Sequence, residues 1–221
     1  MANKKQMSDS FMIGAMLAIV GGFLDAYTYI CRGKVFANAQ TGNIVLFGIR
    51  IAEGEWVKAF YYLVPILAFV IGILLTDMIK FKYKASQRMH WRQIVVFLEL
   101  VILVLVALIP QGNLNMYANI LVSFVCAMQV ESFRKVDGNL AATTMCTGNL
   151  RSATELLFHY VRTKEKQHLR KSLQYYGLIT IFIIGACIGG VLTSLLHIKA
   201  VLVCSIILFL CFLLMFRKNR S

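Results

Sequence analysis

Six long apolar runs constrain this sequence more than any other feature. A helix needs roughly 20 apolar residues to cross a hydrocarbon core of about 30 Å, and each run reaches or approaches that length. Hydrophobic residues make up 59% of the 221-residue chain, well above the roughly 45–50% of a soluble domain. The sequence therefore predicts an all-α integral membrane protein with six transmembrane helices. The predicted spans are residues 11–31, 59–78, 94–110, 116–131, 173–196 and 200–216.

Two shorter segments, residues 41–52 and 147–160, each begin with Thr-Gly-Asn. At 1.5 Å per helical residue they would extend only about 18–21 Å, which is too short to cross the bilayer. We therefore expect two re-entrant half helices, each of which enters and leaves the membrane on the same side.

The basic residues support this arrangement. The net charge is +13, and most Lys and Arg residues lie in short loops between apolar runs, a pattern typical of cytoplasmic loops rather than of nucleic-acid binding. If both short segments re-enter, 18 of the 23 Lys and Arg residues fall on one side, together with both termini. The positive-inside rule then predicts that both termini are cytoplasmic. The remaining five lie outside: Arg32, Lys34, Arg50, Lys58 and Lys199.

The two halves of the chain share an order of elements. Asp25 lies sixteen residues before Thr41, and Glu131 lies sixteen before Thr147. Each half contains three full spans, and because three is odd, the second half must be inverted relative to the first. Residues 1–110 and 111–221 thus form a predicted 3+3 inverted repeat, a plan that many secondary transporters use.

The Thr-Gly-Asn motifs form the predicted substrate-binding site. A half helix that starts inside the membrane leaves up to four unpaired N–H groups at its tip. Threonine can cap those donors, glycine allows close approach, and asparagine offers both a donor and an acceptor. The alternative is that the motifs only cap helices and pair with each other. The residues concerned are Thr41, Gly42, Asn43, Thr147, Gly148 and Asn149.

Three stretches resemble signatures of the bacterial YoaK-like family, whose function is unknown. They are "GGFLDAYTY" at 21–29, "GKVFANAQTGNIVLFG" at 33–48 and "AMQVESFRKVDGNLAATTMCTGNL" at 127–150. The resemblance implies a small multi-spanning inner-membrane protein and supplies no substrate. The family pattern would accept an amide at Glu131, so the resemblance does not imply a symmetric pair of carboxylates.

Three acidic residues inside the apolar runs are candidates for proton coupling: Asp25, Glu99 and Glu131. A carboxylate at the centre of a span costs about 2.5–3.5 kcal/mol, so such residues usually have a function or a partner. Asp25 could instead pair with Arg32 or Lys34. Glu131 could pair with the basic residues that follow it, and Glu99 must face protein or water.

These features favour a secondary transporter of a small polar or anionic solute, with proton coupling as an option. A passive channel or a non-transporting membrane scaffold remains the alternative. The sequence has no HExxH or GxSxG motif, so we expect no enzyme activity. We also expect no cofactor, metal or nucleic acid. The expected partners are the lipid bilayer and a solute or ion, and the glycine-rich runs are compatible with helix packing within one chain or with a homo-oligomer.

Overall fold

In a computed structural model, the described residues are 7–84, 90–140 and 142–216, and most of them are helical. The α-helices are α1 (Phe11–Cys31), α2 (Gln40–Ala52), α3 (Trp56–Tyr83), α4 (Trp91–Val106), α5 (Asn115–Ser132), α6 (Cys146–Thr163), α7 (Lys166–Leu196) and α8 (Val201–Leu214). Short 3-10 helices occupy Met7–Asp9 and His197–Ala200, and strands β1 (Lys135–Val136) and β2 (Asn139–Leu140) form an antiparallel hairpin.

Each of the six predicted spans is helical over most of its length, but they do not all have the length and composition of a membrane-crossing helix. Among the described residues, three segments do: α1, α3, and the continuous stretch of α7 and α8 from Lys166 to Leu214. At 1.5 Å per residue, α4 and α8 are only about 24 and 21 Å long. The predictions of a helical membrane protein are thus confirmed, whereas six separate crossings stay a prediction.

The helices of the bundle begin and end at two opposite ends. At the first, which we call the Arg32 end, the Arg32 guanidinium donates to the carbonyls of Val106, the last residue of α4, and of Ile109, just beyond it, at 2.9 Å each. At the second, the Arg92 end, Arg92 Nε donates to the carbonyl of Ser132, the last residue of α5, at 2.8 Å. Each arginine thus supplies donors for orphan carbonyls at a helix C-terminus.

Arg32 is one of the five basic residues predicted to lie on the outer side of the membrane, and its burial inside the protein was not predicted. Its side chain is fully buried, and its Nε donates to the Tyr27 hydroxyl at 2.9 Å. The physical reason is that the last carbonyls of α4 need donors, and a guanidinium offers five in a fixed geometry.

Both halves of the chain leave their first helix through a turn with two consecutive residues of positive φ. These are Gly33 (92°) and Lys34 (63°) after α1, and Asp137 (54°) and Gly138 (83°) after α5. The Asp-Gly pair joins the two strands, as is typical of a type I′ hairpin. This hairpin is the one departure from an all-α fold within the described part of the chain.

Glycines allow two pairs of helices to approach closely. An added Cβ at Gly22 would lie 2.0 Å from the carbonyl oxygen of Phe182, and one at Gly185 would lie 2.4 Å from that of Ile19, so α1 and α7 pack backbone to backbone. Gly72 has the same role between α3 and α5. The prediction that the glycine-rich run of α7 serves helix packing is confirmed.

The helix contacts occur in matched sets. Helix α1 packs along α7, and α5 packs along α3; α2 packs on α3, and α6 packs on α7. Likewise α4 contacts α5, α8 contacts α1, and α4 and α8 pack on each other. Exchanging the four helices of one half for those of the other converts each of these contacts into another of them, or into itself for α4 and α8, whereas a weaker contact between α3 and α4 has no such counterpart.

Two adjacent glycines of α7 provide a matched test of this packing. A Cβ at Gly189 would lie 2.7 Å from Phe23 Cα, whereas one at Gly190 would meet only Ile30 Cδ1 at 3.9 Å. We expect Gly189→Ala to lower the free energy of unfolding by about 1–3 kcal/mol through overpacking. Gly190→Ala should raise it by up to about 1 kcal/mol because alanine favours helix. Thermal unfolding in detergent measures both, and equal midpoints would contradict the packing described.

Candidate functional site

The segment before α2, residues 37–39, lies against the middle of α1; we call it the first tip. Asn38 Nδ2 donates to the carbonyl of Gly21 at 2.7 Å, and its backbone N–H donates to the Asp25 carboxylate at 3.2 Å. From α5, the Ser123 hydroxyl donates to the carbonyl of Ala37 at 2.9 Å. Irregular backbone is therefore held by side chains from two helices.

The segment before α6, residues 142–145, is the second tip, and it reaches the same part of α1. A Cβ at Gly21 would lie 3.0 Å from Thr144 Cγ2 and 3.4 Å from the carbonyl oxygen of Thr143. Gln129 Nε2 donates to Thr143 Oγ1 and to the carbonyl of Leu17, both at 3.0 Å. The two tips thus meet around Gly21, the eleventh residue of the 21-residue α1.

The expected capping by Thr41 and Thr147 is wrong. Helix α2 begins at Gln40 with Ala39 at its N-cap position, and α6 begins at Cys146 with Met145 there; neither residue makes a side-chain capping bond. Because each helix starts one residue before the threonine, both threonines lie within the first turn and their side chains are exposed.

The other motif residues divide by role. An added Cβ at Gly42 or Gly148 would meet nothing within 4 Å, so these positions border open space. Asn43 and Asn149 are buried and close the loops before their helices. Asn149 Nδ2 donates to the carbonyl of Ala142 at 2.6 Å, while Asn43 donates to the side chain of Gln40, which donates to the carbonyl of Ala37. The structure therefore gives the asparagines a structural role.

Asp25 is half-buried beside the first tip. Neither of the proposed basic partners reaches it, because Arg32 binds carbonyls and the Lys34 ammonium lies over the ring of Tyr29, 4.7 Å from its centroid. Among the described residues, no Lys or Arg nitrogen lies within ion-pair distance of the Asp25 carboxylate. The alternative of a local ion pair is thus not realised.

Glu99 is fully buried in α4, and neither carboxylate oxygen has a hydrogen-bond partner in the described part of the chain. This confirms that Glu99 faces protein. Glu131 differs, because it pairs with Arg134 and lies 3.6 Å from Lys80 Nζ at the Arg92 end.

The comparisons with known proteins place the chain in a family. A family model described as "Protein of unknown function (DUF1275)" matches residues 13–214. The chain belongs to the DUF1275 family. It is also 25% identical over 189 residues to the UPF0700 transmembrane protein YoaK of Bacillus subtilis strain 168, which covers 82% of this chain and 81% of that protein. No solved structure matches this chain significantly. The resemblance to YoaK-like proteins is confirmed, and the chain is a membrane protein.

In this DUF1275 protein, an open groove of about 630 Å³ runs along α6 from the second tip. It is lined by Thr147, Leu150, Arg151, Thr154 and Glu155. Arg151 and Glu155 are spaced i, i+4 on α6, but no ion pair between them is present among the described residues. Both charged side chains are exposed, so they extend into the groove rather than toward each other.

The residues that sequence reasoning missed in this DUF1275 protein are the supports of the tips: Asn38, Gln129, Thr143 and Thr144. The sequence does contain a signal for these residues: Gln129 is a polar residue inside an apolar run, and the other three lie in polar stretches before the short helices. Buried polar atoms in native proteins are almost always paired. Among the described residues, Asn38 Oδ1 and Thr144 Oγ1 are buried at the tips without a hydrogen-bond partner.

Asn38→Ala tests whether this side chain holds the first tip of the DUF1275 chain. We expect faster hydrogen–deuterium exchange of the backbone amides at 36–43, because the loss of one hydrogen bond of about 1 kcal/mol raises the open population several-fold. Asn113→Ala, at an exposed position in the loop after α4, is the matched control and should leave this exchange unchanged. If the amides at 36–43 exchange at the same rate in Asn38→Ala as in the wild type, other contacts hold the first tip.

Proposed function

We propose that this protein is a proton-coupled secondary transporter of a small polar or anionic solute in the bacterial inner membrane. In this proposal six helices cross the bilayer, α2 and α6 re-enter from opposite sides, and the Arg92 end with both termini faces the cytoplasm. The two tips form the solute site.

The matched helix contacts support the inverted 3+3 repeat, since they are the pattern that a two-fold axis between the halves would produce. Both α2 and α6 begin beside the middle of α1. The α2 end contributes Arg50 to a cavity shared with Arg32, whereas Tyr160 near the α6 end lies in a pocket with Phe11 at the start of α1. The two short helices therefore run from one central point toward opposite ends.

Length alone supports re-entry for α2 more than for α6. Helix α2 is 13 residues long, about 20 Å, whereas α6 extends to Thr163 and reaches about 27 Å, close to the thickness of a hydrocarbon core. The start of α6 beside Gly21, rather than its length, supports the assignment as a re-entrant helix.

The main support for a solute site is that buried polar atoms around Gly21 lack hydrogen-bond partners in the described residues. The N-termini of α2 and α6, which re-enter the membrane in this proposal, lie at the same place. Helix N-termini favour negative charge, and unpaired polar atoms favour water or a polar ligand. Gly42 and Gly148 leave open space beside these N-termini, and the groove along α6 provides an approach from the Arg92 end.

Asp25 and Glu99 are the proposed proton carriers. Burial of an unpaired carboxylate costs several kcal/mol, and a bound proton removes that cost. Asp25 borders the solute site, and Glu99 is a second buried acid, in the core of α4, without a hydrogen-bond partner among the described residues. Glu131 is already ion-paired, and we assign it to holding α3 against α5.

Proteoliposomes that contain a pH-sensitive dye test this proposal. The probes are a panel of defined solutes: acetate, lactate, succinate, phosphate, glycine and glycerol. We expect at least one to drive saturable proton uptake, and Asp25→Asn to reduce that uptake at least tenfold because it removes the carrier beside the site. Glu99→Gln should reduce it as well. Asp77→Asn, which changes an exposed acid paired with Lys80 at the end of α3, is the control and should transport normally.

The outcomes separate the candidate functions. Solute flux that rises linearly with concentration and ignores pH would overturn the transporter and favour the passive channel. The absence of flux for every probe, with folded protein in the vesicles, would favour a membrane scaffold. Full proton coupling in Asp25→Asn would exclude Asp25 as the carrier.

A further inference from the structure

A second polar cavity lies at the Arg32 end, away from the two tips. Its volume is about 330 Å³, at the lower limit of small-molecule sites. The end of α1, the end of α2, the start of α3 and the start of α5 surround it. Among its described lining residues are three cations and no acid; the polar members are Arg32, Arg50, Lys58, Tyr61, Tyr62, Asn113, Asn115 and Asn119.

The cations of this cavity are only partly neutralised. Arg50 Nη1 binds Glu53 at 2.6 Å and Glu55 at 2.8 Å, and Glu55 also binds Lys58 at 2.6 Å. The hydrogen bond from Lys58, with the charge of Arg50, holds the pKa of Glu55 below its usual range, so Glu55 stays ionised at neutral pH. Because Arg32 binds only neutral oxygens, three cations face two carboxylates.

Two residues that line the cavity each have a buried polar atom without a hydrogen-bond partner among the described residues, one a donor and one an acceptor. Both acids bind Arg50 through Nη1, and Arg50 Nε is a buried donor without a partner among the described residues. Asn119 is 5% exposed and donates its Nδ2 to the carbonyl of Arg32 at 2.8 Å, which leaves Oδ1 as a buried acceptor, also without a described partner.

We infer that this cavity binds a small 2-hydroxycarboxylate. The carboxylate is placed among Arg50 Nε, Lys58 and Arg32, where the net positive charge attracts an anion. The adjacent hydroxyl donates to Asn119 Oδ1, the one buried acceptor that needs a hydrogen. A small hydroxy acid fits the volume, and Tyr61 and Tyr62 supply aromatic walls.

This site deepens the proposed function, because a transporter needs a first binding point on its outer side. Binding itself does not depend on transport. Val35, which lies in the loop between Arg32 and the first tip, lines the cavity and precedes the first tip by two residues.

Calorimetric titration of the purified protein with three matched probes tests the inference. Lactate has the carboxylate and the hydroxyl, propionate lacks the hydroxyl, and lactamide lacks the charge. We expect lactate to bind, propionate to bind about tenfold more weakly because Asn119 Oδ1 stays unpaired, and lactamide not to bind. Lys58→Gln should weaken lactate about tenfold, whereas Lys199→Gln, at an exposed position on the same end, should not.

Each outcome decides the inference, and a failure of transport is distinguishable from a failure of binding. Equal affinity for lactate and propionate, for lactate and lactamide, or for wild type and Lys58→Gln would overturn it, as would the absence of lactate binding. Lactate binding that is lost in Asp25→Asn but retained in Lys58→Gln would place the ligand at the tips instead. Lactate binding with the stated preferences in a protein that transports nothing would uphold this site and reject only the proposed function.

Discussion

The rest of this structure depends on one constraint: polar backbone at the depth of a membrane core needs hydrogen-bond partners from the protein or from enclosed water. Two irregular segments reach the middle of α1: Ser123 and Gln129 donate to Ala37 and Thr143 in these segments, and Asn38 of the first tip donates to the carbonyl of Gly21. Gly21 lies where the segments meet, and its lack of a side chain leaves room for Thr144. The helices α2 and α6 can therefore start at the centre of the bundle rather than at its surface.

Buried charge follows the same logic. The Arg32 guanidinium is fully buried but binds the carbonyls that end α4, so it satisfies backbone acceptors that water cannot reach. Glu99 is equally buried, yet its oxygens have no partner in the described residues. A buried charged group whose donors are all hydrogen-bonded stabilises the fold, whereas a buried acid without a hydrogen-bond partner is a candidate for carrying a proton. The proposed function depends on that contrast.

The apolar runs predicted the helices well, because hydrophobic length is a strong local signal in a membrane protein. The two short helices were predicted from two short runs that share Thr-Gly-Asn, and the start of α2 was placed to within one residue. The role of each motif residue was not predictable in the same way. Thr41 and Thr147 have a residue type that is typical of N-caps. Each helix begins one residue earlier, however, so both threonines lie in the first turn.

The burial of Arg32 was also beyond sequence reasoning. A single arginine after an apolar run looks like a loop cation under the positive-inside rule, and only the arrangement of α4 around it shows the carbonyls that it binds. Likewise Asn38 and Gln129 are visible as polar residues, but their shared target on α1 depends on long-range packing.

Side-specific labelling tests the central claim that α2 and α6 re-enter from opposite sides. Single cysteines replace exposed residues that flank α2 (Lys34 and Glu53) and α6 (Lys135 and Lys164), with reactive native cysteines removed, and a membrane-impermeant maleimide is added to oriented vesicles. The account predicts that the α2 pair labels from one side and the α6 pair from the other. Labelling of Lys34→Cys and Glu53→Cys from different sides, or of the α6 pair from different sides, would show a full crossing and contradict it.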